Sequence, residues 1–188
     1  MIRLFVGLQL PEALRMRLAA LCAGVPGARW EPPENFHLTL RFIGEVELGQ
    51  AEDIDGQLAR LHMPAFSIAL ATVDHFGPAE KARALYVGVE RSEPLARLQA
   101  KIENALQRLG LPAETRKFVP HVTLGRLNGA PSQRIQAFRE ANNLFRAGPV
   151  DVGEFILYSS HPGKGHSVYR EEAAYPLAGS PGAGAPAA

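Results

Sequence analysis

His37-Leu38-Thr39-Leu40 and His121-Val122-Thr123-Leu124 are two versions of one tetrapeptide, set far apart in a chain of 188 residues. In an extended strand alternate side chains share a face, so each His points with its Thr while Leu38, Leu40, Val122 and Leu124 point into a core. Each strand therefore presents an imidazole beside a hydroxyl. Imidazole is the side chain whose ordinary pKa lies near neutrality, and a hydroxyl both donates to and accepts from an oxygen-rich ligand. With six histidines in the chain, one such segment is within reach of chance, but a matching pair is well above the false-positive level of short motifs.

Outward from the first segment, the break Pro32-Pro33-Glu34-Asn35 precedes a strand over 36–43 that Gly44 closes. Upstream, Ile2, Leu4, Val6, Leu8 and Leu10 alternate as in a strand. Pro11 suits a first helical turn, Leu14, Leu18, Leu21 and Cys22 follow helical spacing to Gly24, and a short strand covers 28–30. Downstream come a helix over 48–61 and strands over 66–76 and 84–89. The order then repeats in outline: a helix over 93–109 capped by Ser92 and ended by Gly110, the second motif strand to Leu127, and a helix over 132–142. Strands over 150–159 and 167–177 follow. In each half the motif strand is followed by a helix and a further pair of strands. This pattern predicts an α+β fold: a single bilobal domain over 1–178, with two pseudo-symmetric lobes of antiparallel sheet, outer helices and a central cleft, one motif to each half. Residues 179–188 hold only Gly, Ala, Pro and Ser and read as a disordered tail.

Composition narrows the function. Twenty Lys plus Arg stand against 19 Asp plus Glu, so bulk charge calls for no non-specific nucleic-acid partner and any phosphate contact is local. The single cysteine, Cys22, allows no internal disulfide, sits in an apolar helical pattern, and fits a reducing compartment. Residues 1–10 lack the features of a signal peptide, and no apolar run approaches the roughly 20 residues of a bilayer span. A cytoplasmic protein without membrane association, and a monomer, is the expectation.

Two imidazoles and two hydroxyls in one pocket suit in-line displacement at phosphorus. One imidazole takes the proton of an incoming water or hydroxyl, the other gives a proton to the departing ribose oxygen, and each transfer is worth typically 10²- to 10⁴-fold. Thr39 and Thr123 would hold the non-bridging oxygens of the phosphate. This chemistry needs no metal and no cofactor. The spacing of His161 and His166 fits no common zinc pattern, and no Walker-type phosphate loop appears.

The chain resembles the RNA 2',3'-cyclic phosphodiesterases, or 2'-5' RNA ligases, of the two-histidine phosphoesterase superfamily. The resemblance is carried by Arg3-Leu4-Phe5-Val6, by Trp30 with Pro33-Glu34-Asn35, by the stretch from His37 to Gly44, by the stretch from Lys117 to Leu124, and by the strand near Phe155. It implies both motifs in a central cleft and hydrolysis of a 2',3'-cyclic phosphate at an RNA 3' end to a 2'-phosphomonoester, with ATP-independent, reversible 2'-5' ligation beside it. It also implies that His37 is the proton donor and His121 the acceptor, and that Arg126 contacts the phosphate. Strand parity argues the other way for Arg126, which should face away from His121 unless the strand bulges. Parity places Arg41 with His37, and Gly125 is expected to leave the cleft side open.

The partners implied are an RNA 3' end or a nucleotide 2',3'-cyclic phosphate. Two other readings share the residues: a phosphodiesterase of small cyclic phosphates or 2'-5' oligonucleotides, and a nucleotide- or RNA-binding module without turnover. Phe42, Phe76, Phe118 and Tyr158 are aromatic faces for a terminal base or core residues. His161, Lys164 and His166 share a Gly-rich loop that an RNA chain can touch, His75 stands at the cleft mouth, and His62 is structural.

Overall fold

The computed structural model describes residues 1–179, so the tail expected over 179–188 lies, but for Gly179, outside them. The chain order is β1 (Ile2–Gln9), α1 (Glu12–Ala19), β2 (Ala28–Trp30), a 3-10 turn (Pro33–Asn35), β3 (His37–Val46), α2 (Leu48–Leu58), β4 (Phe66–Phe76), β5 (Ala84–Val89), α3 (Glu93–Arg108), β6 (His121–Leu127), α4 (Ser132–Asn142), β7 (Arg146–Val152), β8 (Glu154–His161) and β9 (Val168–Pro176). The expected run over 150–159 is two strands that part at Gly153, and β7 begins earlier, at Arg146. Gly148-Pro149 lies within β7, at the sheet margin, where the register with β4 shifts and neither residue has a partner.

Among the described residues all nine strands belong to one sheet, ordered β7-β4-β5-β6-β3-β1-β8-β9, with β2 laid along β6. Every named pair is antiparallel. The two lobes are the two flanks of this sheet, and they meet where β3 and β6 pair at Leu38 and Val122. Chain halves and sheet halves differ. The strands that follow the first motif, β4 and β5, join β6 on the second flank, and the last strands, β8 and β9, return to β1 on the first.

The main core lies between the sheet and the helices. Leu14 and Leu18 of α1, Ile54 and Leu58 of α2, Leu95, Leu98, Ile102 and Leu106 of α3, and Ile135 and Phe138 of α4 all reach into it, against Leu38, Leu40, Val122 and Leu124. Burial of each such aliphatic side chain contributes about 1.5–3 kcal/mol. In α3 the capping Ser92 hydroxyl accepts from the Leu95 N–H. A smaller cluster of Phe5, Ile156 and Tyr158, with Tyr169 against it, covers the opposite face of β1 and β8. Both faces of these strands are therefore buried.

Candidate active site

Leu38 and Val122 face each other in the antiparallel pair of β3 and β6. Carried one residue each way, this register sets His37 across from Thr123 and Thr39 across from His121, with the histidines on a diagonal about 7–8 Å apart at the backbone in regular pairing. The four side chains share the face opposite the helices, because Leu38, Leu40, Val122 and Leu124 are buried on the other one. A local pseudo-two-fold axis passes between Leu38 and Val122.

The symmetry extends to the bonds that hold the rings. His37 Nδ1 lies 2.6 Å from the Asn35 carbonyl and His121 Nδ1 lies 2.6 Å from the Val119 carbonyl. Only an N–H donates to a carbonyl, so Nδ1 carries the proton in both rings and Nε2 is left for chemistry. His37 Nε2 is 2.9 Å from the Thr39 hydroxyl. Each imidazole also stands against a stacked Phe–Tyr pair. His37 lies 4.9 Å from Phe5, which stacks on Tyr158 at 5.0 Å, and His121 lies 4.7 Å from Phe76, which stacks on Tyr86 at 4.3 Å. Tyr169 closes over His37 edge-on at 5.1 Å.

These walls desolvate the rings. Burial lowers the His37 pKa below the ordinary imidazole value, against the opposing pull of the Asn35 carbonyl and the Glu31 carboxylate, and the nearby His121 lowers it further. Burial likewise lowers the His121 pKa, against its bond to Val119. An empty cleft therefore holds two neutral imidazoles at neutral pH.

A bulge follows each motif and decides what comes next. In β3, Val6 pairs with Arg41 and Gly7 with Thr39, so Leu40 is an extra residue. In β6, Tyr86 pairs with Thr123 and Leu85 with Gly125, so Leu124 is extra. Each insertion reverses the parity beyond it. Arg41, expected beside His37, instead turns to the helix side, where its Nε meets Glu103 Oε2 at 2.5 Å and its Nη2 donates to the Pro112 carbonyl at 2.6 Å. Arg126 turns to the cleft side, the exception that parity had allowed. The fifth residue after each His thus faces the cleft: Phe42 after His37, Arg126 after His121. Gly125 faces the helix side instead, where Trp30, packed on Phe138, fills the space and an added Cβ would lie 2.8 Å from its ring.

Sequence reasoning passed over three groups. Glu31 pairs with Arg126 at 3.7 Å and accepts from Asn35 Nδ2 at 3.3 Å. Asn35 is buried and donates to the Ser167 carbonyl at 2.8 Å as well. Glu103 accepts from Arg41, from Gln107 and from the Glu114 N–H, and so anchors the stretch that leads into His121. Glu31 and Asn35 flank a Pro-Pro break, which was the one available signal; Glu103 looks like any exposed helix glutamate.

Of the remaining candidates, Tyr158 is buried behind Phe5, Phe76 walls His121, Phe118 packs against the core, and Phe42 is 55% exposed on the cleft face. His161 Nε2 bonds the buried Ser159 hydroxyl at 2.7 Å, His166 is exposed at a hollow beside His37, and Lys164 and His62 are exposed. His75 Nδ1 is buried without a partner. Burial pushes the Cys22 thiol up to about 12, so it stays protonated and is no nucleophile.

The chain is similar to known proteins in sequence and in fold. A sequence profile of the 2'-5' RNA ligase superfamily matches residues 10–164. An RNA 2',3'-cyclic phosphodiesterase of Aeropyrum pernix is 35% identical over 149 residues, covering 78% of this chain and 84% of that protein. One from Thermotoga maritima is 34% identical over 136 residues, covering 71% of each. Among solved structures, E. coli LigT complexed with 3'-AMP aligns with a TM-score of 0.75 at 26% identity, over 94% of this chain and 98% of that one. No described helix is long and apolar enough to cross a membrane.

Proposed function

The chain belongs to the 2'-5' RNA ligase superfamily, and from that membership and the cleft's geometry we propose that it is an RNA 2',3'-cyclic phosphodiesterase. The observation that carries this reading is the diagonal pair of imidazoles, each with Nδ1 tied to a carbonyl and Nε2 turned to a common face. The phosphodiesterases of A. pernix and T. maritima, and a LigT crystal structure holding 3'-AMP, support it.

In the proposed reaction His121 Nε2 takes a proton from water as its oxygen attacks phosphorus. The bond from phosphorus to O3' breaks, and His37 Nε2, protonated, gives its proton to O3'. The product is a 2'-phosphomonoester with a free 3' hydroxyl. Thr39, Thr123 and Arg126 hold the non-bridging oxygens, whose charge grows in the transition state. With a 5' hydroxyl in place of water as the attacking group, the same steps in the same direction join ends through a 2'-5' bond without ATP, and their reversal re-forms the cyclic phosphate. The domain is residues 1–178 as one bilobal unit, working as a monomer in the cytoplasm.

Protein treated with EDTA should open a 2',3'-cyclic phosphate to the 2'-phosphate alone, with no 3'-phosphate. His37→Ala and His121→Ala should each lower kcat by about 10²- to 10⁴-fold while keeping the native circular dichroism spectrum. Full activity in either variant would sink the reading.

A further inference from the structure

Beside His37, on the flank away from His121, lies a hollow of about 320 Å³, of whose lining residues the reaction above uses only Arg126. Phe42 and Tyr169 line it as aromatic surfaces, and Arg3, Arg29, Arg126 and His166 line it as cations or potential cations. They come from β1, β2, β3, β6, β9 and the turn between β8 and β9. The hollow adjoins the catalytic ring directly, because Phe5, another of its lining residues, lies 4.9 Å from His37 and 5.8 Å from Phe42.

Its charge is not balanced internally. Arg29 and Arg126 are register partners on β2 and β6, an arrangement that places like charges side by side and is unfavourable by itself. Glu31 answers Arg126 at 3.7 Å. Among the described residues neither Arg3 nor Arg29 has a carboxylate partner. With Arg126 answered by Glu31 and turned to the reacting phosphate, Arg3 and Arg29 are left for a further anion, and the planar guanidinium fork matches a phosphate bidentately.

The chemistry says which phosphate. His37 protonates O3', so the ribose that carries the cyclic phosphate lies on the His37 side, and the attacking water lies on the His121 side, walled by Phe76 and Tyr86. The next charged group along the chain from that ribose is the phosphate at its own 5' position. We propose that the hollow is a subsite for this 5' phosphate, gripped by Arg3 and Arg29. It rests on the function proposed above and adds to it a contact, at Arg3 and Arg29, that separates a 5'-phosphorylated end from a bare nucleoside cyclic phosphate.

The test compares kcat/KM on a nucleoside 2',3'-cyclic phosphate with that on the same nucleoside bearing a 5' phosphate, and on a dinucleotide ending in the cyclic phosphate. The 5' phosphate should raise kcat/KM by roughly tenfold or more, as two charge-assisted contacts allow. In Arg3→Ala/Arg29→Ala the two mononucleotides should become equal substrates, and in Arg29→Glu the order should reverse. A wild-type ratio near one, or a ratio that survives in the double variant, overturns the subsite while leaving the phosphodiesterase reading intact. Failure of the wild type on all three substrates overturns that reading first, and the subsite with it.

Discussion

At His37 and His121 two influences oppose each other, for burial against aromatic rings disfavours the imidazolium and a carbonyl at 2.6 Å from Nδ1 favours it. Burial wins in both, and both pKa values fall below the ordinary 6.5. The reaction needs one ring charged and one neutral, so the competent free enzyme is the singly protonated pair. With both values depressed, that state is most abundant on the acid side of 6.5, and kcat/KM should peak there. Glu31 acts on His37 in the opposite sense to burial, raising its proton affinity. Glu31→Gln should therefore move the alkaline limb of the pH–kcat/KM profile further toward acid, and a limb that stays in place would refute the role given to that carboxylate. The imidazoles and hydroxyls were legible in the sequence because chemistry and alternation both pointed to them. Glu31 was not, since its effect depends on where a 3-10 turn brings Asn35.

Among elements, helices and most strands follow from hydrophobic spacing. The limits of β4, β5 and α4 lie where alternation and turn residues predicted them, at Phe66–Phe76, Ala84–Val89 and Ser132–Asn142. The bulges were another matter. An extra residue in a strand is set by the partner it pairs with, and Leu40 and Leu124 look locally like any other leucine. Parity therefore sent Arg41 to the cleft and would have sent Arg126 away from it, and the ladder reversed both. Close strand approach at the first bulge also fixes Gly7, where an added Cβ would lie 2.9 Å from the Leu38 carbonyl and 3.6 Å from the His37 ring. Gly7→Ala should cost about 1–3 kcal/mol, read from the urea midpoint, and lower kcat as His37 is displaced. Gly56, in α2, has nothing within 4 Å of an added Cβ. Gly56→Ala should instead stabilise by roughly 0.5–1 kcal/mol and leave kcat alone.

For the whole molecule, the duplicated order of elements suggested a motif and its lobe in each half of the chain. The sheet instead exchanges strands, since β4 and β5 serve the second motif and β8 and β9 serve the first. Pairing between strands distant in sequence leaves no periodic signal, so this exchange could not be read in advance. It makes the first flank dependent on residues 154–176, for β8 covers β1 and contributes the buried run Phe155, Ile156, Leu157 and Tyr158. A chain cut before Glu154 should lose the cooperative thermal transition seen by circular dichroism in the full chain, rather than retain a folded first lobe. A ribosome works from the amino end, so both imidazoles are in the chain before Tyr158 and Tyr169 are added. The tyrosine walls that desolvate His37 are therefore the last parts of the site to be made.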